Sequence, residues 1–244
     1  MTDPYKFADE QIAKMREAVN NAFSNAMLLM RFDKINLISE VKTQTRVLFY
    51  NLDELNKRFF RKVVRKAYED AVEEVREGGF DVNTESITGM LEGSIEGVLS
   101  RLYSDIHPMT GYSYRNETER KRDRLFETVF AASAQRTIAD ASEQEVLQPI
   151  LHTRTQERVR IAMTHGAKLW YGQSRQYIDL HVDEGRKQAF EDAGVTWVEW
   201  VTRKDEKVCE ECNALNGMVF KIGNVPPKPH RNCRCTIRPF NDQD

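Results

Sequence analysis

Residues 209–235 read CEECNALNGMVFKIGNVPPKPHRNCRC and hold all four cysteines of the chain together with one of its five histidines. Two residues separate Cys209 from Cys212, and His230 and Cys233 repeat that spacing after 17 intervening residues. Such spacing lets a tight turn aim two side chains at one tetrahedral ion. The set Cys209, Cys212, His230 and Cys233 therefore predicts a closed, structural zinc (Zn2+) site with no open position for a substrate. Cys235 is surplus. If 233–235 is extended, alternate side chains face opposite ways, so the reading takes Cys233 as the fourth ligand and keeps Cys235 in reserve. A redox CxxC pair, a disulfide-locked hairpin and buried free thiols compete with this reading. A redox pair would follow a βαβ unit, whereas here a strand-like run precedes the cysteines and Glu210 and Glu211 lie between them. Bound metal would contribute on the order of 10 kcal/mol to folding a tail with little core of its own.

Upstream of the cluster, VTWVEWVT (195–202) follows Gly194 and has strand composition, and the Asn216-Gly217 turn signal introduces a second short strand at Met218, Val219 and Phe220. Most of the chain before it reads as helix. Apolar residues recur at helical period at Ile12, Met15, Val19, Phe23, Ala26 and Met30, and again at Leu52, Leu55, Phe59, Val63, Ala67 and Ala71 until Gly78-Gly79. A third helix spans 83–103 with Ile87, Met90, Leu91, Ile95, Val98 and Leu102 inward; Gly89, Gly93 and Gly97 line one stripe of it and suggest a close helix crossing, the commoner explanation, or a segment that can bend. Residues 107–116 read as a loop. A helix from Glu117 to Ala141 would bury Leu125, Phe126, Val129 and Ile138, and Pro149 opens a polar helix over 150–178 with Ile150, Val159, Ile161, Leu169 and Tyr177 inward. The expected fold is α+β and mostly helical: extended N-terminal helices over 1–145, then a small α+β module over 146–244 with a zinc-knuckle-like β-hairpin.

The chain has 244 residues, 36 Lys+Arg against 38 Asp+Glu, and a net charge of −2, which excludes a generic polyanion binder. Contact with nucleic acid would need local patches, and two are candidates. KRFFRKVVRK (57–66) crowds Lys57, Arg58, Arg61, Lys62, Arg65 and Lys66 together, with Glu69, Asp70, Glu73 and Glu74 as counter-charges one turn on. Lys221, Lys228, Arg231, Arg234 and Arg238 occupy a stretch with no acidic residue. Either group faces phosphate or an acidic partner protein, or is a solvated surface; the tail cations also offset a three-thiolate site. His107, His152, His165 and His181 are scattered and read as surface or satisfied core residues. No membrane span and no secretory leader are expected, since the longest apolar run of the N-terminal part, Ala26–Met30, is far too short. Phosphate-binding glycine loops and nucleophile elbows are absent from the sequence.

The stretch from Trp197 to Pro239 resembles the C-terminal signature of the phage head morphogenesis (Mu F-like) minor head protein family. The residues that carry it are Trp200, Thr202, Asp205, Cys209, Cys212, Leu215, Gly217, Pro229, His230 and the Cys233-Arg234-Cys235 triplet, and TRTQERVRIAMTHGAKLWYGQSRQYID (153–179) resembles the helix leading into them. The similarity covers roughly residues 146–240. It implies a minor capsid protein of a tailed phage, located in the virion and in the host cytoplasm during assembly. The implied partners are the portal protein and the major capsid or scaffolding protein, with double-stranded DNA contact left open, and no enzymatic chemistry is implied. Some relatives append a toxin domain; nine residues follow Cys235 here and none is expected. A DNA-binding zinc module is the alternative. A zinc-stabilised nuclease or transferase is the other, resting on His230 and Asn232 alone.

Overall fold

A computed structural model of the chain describes residues 3–30, 37–80, 84–104, 114–125, 127, 148–203, 208–230 and 233–241. The elements are α1 (Lys6–Leu29), α2 (Leu37–Glu77), α3 (Thr84–Tyr103), α4 (114–125), α5 (Gln148–Asp192), β1 (Trp197–Val201), α6 (Glu210–Leu215), β2 (Val219–Lys221), a 3-10 turn at Ile222–Asn224, and β3 (Thr236–Phe240). The fold is α+β and mostly helical, as expected. No helix among the described residues is long and apolar enough to cross a membrane.

The described chain forms two compact units that do not follow chain order. One comprises Met1–Ile12, Arg58–Tyr114 and Arg175–Asp244; the other comprises Ala13–Lys57 and Arg115–Ser174. The expected boundary at 145/146 lies outside the described residues.

In the second unit the apolar ladder of α1 is buried at Met15, Val19, Phe23 and Ala26, and Leu48 and Leu52 of α2 join Leu125, Met163 and Trp170 as buried side chains. Phe49 meets Trp170 edge-on with centroids 5.0 Å apart. Asn56 donates to Ser174 across this core (2.9 Å). Ile161 and Leu169, expected inward, are 56% and 37% exposed. The buried stripe of α5 instead follows Val159, Met163 and Trp170. Phe126, Val129 and Ile138 lie outside the described residues, and the side chain of Ile150 is likewise not described.

The first unit is built on the C-terminal parts of α2 and α5. Both helices end in the same way. The amide of Phe80 donates to the Val75 carbonyl while that of Gly79 donates to Arg76, and Val195 and Gly194 repeat the pattern onto Phe190 and Glu191. Gly79 (φ 76°) and Gly194 (φ 75°) supply the left-handed residue such an ending needs. Both turns fold their following side chains, Phe80 and Val195, onto one core with Tyr68, Val72, Val75, Ile87, Phe190 and Val198. The helical stretch 179–192 had no sequence assignment, because its buried face mixes His181, Gly185 and Arg186 with Val182 and Phe190.

The glycine stripe of α3 does not mark a crossing. A Cβ at Gly89 or Gly93 would meet nothing within 4 Å, and one at Gly97 would meet only the end of Arg101. The close approach is at Gly185, where a Cβ would lie 3.0 Å from the Val64 carbonyl oxygen. Met90, expected inward, is 39% exposed. The segment read as a loop at 107–116 is helical from 114 onward. Tyr114 is buried there, edge-on to Phe60 and Tyr177.

Three antiparallel strands in the order β2-β1-β3 complete this unit. The expected strand 195–202 is the central one, with Val198 and Trp200 buried. Asn216-Gly217 leads from α6 into β2, the second expected strand. Gly217 (φ 80°) donates to the Trp200 carbonyl, and Asn216 Oδ1 accepts from both the amide and hydroxyl of Thr202 (2.9 Å each). β3, with Pro239 as its penultimate residue, went unread in the sequence.

Candidate metal centre and the ion pairs around it

Cys209 is the N-cap of α6, and its sulfur accepts from the Cys212 amide at 3.3 Å. That amide lowers the Cys209 thiol pKa, helped by the Cys212 side chain. Cys212 lies one turn inside, buried against Trp200, Cys233, Cys235 and Ile237. Its sulfur is 3.4 Å from His230 Nε2 and 3.4 Å from Cys233 Sγ. Burial pushes the thiol of Cys212 well up and raises that of Cys235. As thiolates they would need a cation beside them.

The ligand atoms fall into two close sets sharing Cys212: Cys209, Cys212 and His230, and Cys212, Cys233 and Cys235, each mutually within 4.8 Å. A tetrahedral ion with bonds of about 2.3 Å to sulfur holds its ligand atoms about 3.8 Å apart, so both sets fit one. Cys235 does not turn away from Cys233 as the extended reading expected. Residues 233–235 are not strand; β3 starts at Thr236, so alternation does not apply to them. Cys212 is common to both sets; Cys209 and His230 complete one, and Cys233 and the surplus thiol of Cys235 complete the other.

The cations around this cluster are engaged inside the protein. Lys228 pairs with Asp183 of α5 (2.5 Å), donates to the Tyr5 hydroxyl (2.7 Å) and donates to the Cys233 carbonyl (2.9 Å). The Tyr5 hydroxyl donates to Asp183 Oδ1 (2.6 Å) and lies 3.1 Å from the Cys235 carbonyl oxygen. Arg234 grips both oxygens of Asp9 (2.8 and 2.6 Å) and lies 3.4 Å from Asp179. Burial raises the pKa of Asp179 and Asp183, with Arg234 and Lys228 opposing the shift, while the Arg234 hydrogen bond lowers that of Asp9. Arg238 pairs with Glu199, its directly opposed residue on β1 (2.6 Å), and Lys221 lies over the Trp197 ring opposite it (5.5 Å). Arg231 lies outside the described residues.

Four of the six cations of 57–66 also meet carboxylates. Lys57 pairs with Glu54 (2.7 Å) and Lys66 with Asp70. Arg61 and Arg65 reach Glu92, and Arg61 also reaches Glu96, both from α3. Lys62 lies over Phe59 (5.9 Å), and Arg58 is exposed. The α3 carboxylates were invisible to a reading of α2 alone. Glu74, assigned to the α2 cations, instead meets Arg186 (2.6 Å). His181 is a buried core residue stacked on Phe60, and His165 is at the surface.

Residues 154–238 match the family model described as Phage Mu protein F like protein, which places this segment in the Mu F-like phage head morphogenesis family. No curated protein and no solved structure matches the chain.

Proposed function

We propose, from the Mu F-like segment at 154–238, that the chain is a minor capsid protein of a tailed bacteriophage that acts at the portal vertex during head assembly. The family match carries this reading. The portal and the major capsid or scaffolding protein are its partners, the virion its destination, and structural zinc on the Cys/His cluster its cofactor. Two features support a binding rather than a catalytic role. Three of the candidate ligands, Cys212, Cys233 and Cys235, are buried thiols. The nearby cations Lys228, Arg234 and Arg238 already hold carboxylates, which favours protein over phosphate as the external partner.

The test is co-purification of the full chain with portal and with major capsid protein at low salt. Retention by the portal is the expected result; indifference to both removes the reading. Metal content of the same preparation by elemental analysis, expected near one zinc per chain, tests the cofactor separately.

A further inference from the structure

The segment from Asp3 into the first turn of α1 sits against the Cys/His module through three anchors. Asp3 accepts from Arg203 (2.8 Å), Tyr5 is held by Asp183 and Lys228, and Asp9 by Arg234. Tyr5 is only 1% exposed, and both Lys228 and Arg234 approach its ring, at 5.1 and 5.3 Å from the centroid. Residues 3, 5 and 9 thus offer carboxylates and one aromatic ring to cations at 203, 228 and 234. The family match begins only at residue 154. Its cations at 203, 228 and 234 are nonetheless met by the other end of the chain.

We infer that the basic face of the Cys/His module is a docking site for an acidic, tyrosine-bearing helix start, filled here by residues 3–9, and that its occupancy fixes the loop carrying Cys233 and Cys235. The physical link is Lys228. One ammonium group joins the Tyr5 hydroxyl, the Asp183 carboxylate and the Cys233 carbonyl, so the helix turn and the thiol loop share a partner. Arg234, between the two cysteines, ties the same loop to Asp9. Coupling of this kind is reciprocal: what orders the loop favours docking, and docking orders the loop by the same factor. The inference concerns the protein's own contacts and holds with or without an ion.

The experiment uses the full chain with Tyr5→Phe, Asp9→Asn, both together, and Glu10→Gln as an exposed control. Modification of the buried thiols Cys212, Cys233 and Cys235 by a neutral thiol reagent is timed, alongside hydrogen exchange over 3–12 and 228–235, before and after chelation. Losing hydrogen bonds to ionised partners shifts a local opening equilibrium by about tenfold or more, so the double variant should react about tenfold faster. Exchange should rise together in both segments, with 195–201 and the control unchanged. Thiol rates within about twofold of wild type, or faster exchange at 3–12 without any at 228–235, overturn the proposal. Should the double variant not fold, Asp9→Asn alone is judged by the same criterion. Metal measured on the same samples separates the two readings: a chain without zinc ends the cofactor assignment, while the variant-to-wild-type ratio still judges the docking.

Discussion

The cations of α2 and those around the Cys/His cluster meet their carboxylates in different surroundings. Arg61 and Glu92 keep 43% and 62% of their side-chain surface exposed, whereas Lys228 and Asp183 keep 13% and 20%. Exposed pairs compete with water and salt and contribute little. Removing one partner of a shielded pair strands a charge that water cannot reach. A run of lysines and arginines therefore says nothing about its own energetic weight until its surroundings are known.

The largest test of this contrast is metal removal. If zinc joins Cys209, Cys212, His230 and Cys233, chelation or Cys212→Ala should withdraw on the order of 10 kcal/mol from the local fold. Circular dichroism and hydrogen exchange would then show the loss over 209–240 and leave the second unit intact. Next, Lys228→Met should lower stability in denaturant unfolding by about 3–5 kcal/mol, because Asp183 loses its counter-charge, and adding Asp183→Leu should restore part of it. Gly185→Ala, which pushes a methyl against the Val64 carbonyl, should cost about 1–3 kcal/mol. Gly93→Ala, on an open stretch of α3, should gain up to about 1 kcal/mol. Smallest of all, Glu92→Gln should leave the unfolding midpoint unchanged at physiological salt, although it removes the partner shared by Arg61 and Arg65. A clear loss there would erase the distinction between the two basic regions.

Periodicity was enough to read α1, the later half of α2, and α3, because their buried faces are continuous apolar ladders such as Ile12, Met15, Val19 and Phe23. It failed over 179–192, where the inward face carries His181 and Arg186, each buried with a partner that sequence cannot supply: Phe60 for one, Glu74 for the other. The cluster of ligand residues was legible from spacing, since two-residue gaps are a local property. The place of Cys235 was not, because it depends on where β3 starts. Nor was the role of Lys228 and Arg234, whose partners Tyr5 and Asp9 lie more than two hundred residues away in the chain. The Gly89, Gly93 and Gly97 stripe misled for a related reason: spacing shows that glycines are aligned, but only a neighbouring backbone makes the alignment matter.

β3 is an outer strand of a three-stranded sheet and carries Pro239 opposite Val198. Proline has no amide hydrogen, and the Ile237 carbonyl already accepts from Arg186 (3.0 Å), so a foreign chain laid along the outer side of β3 would find one rung missing and another taken. Sheet growth from copy to copy is discouraged at that margin, and molecules gathered at high local concentration are kept from zipping together there.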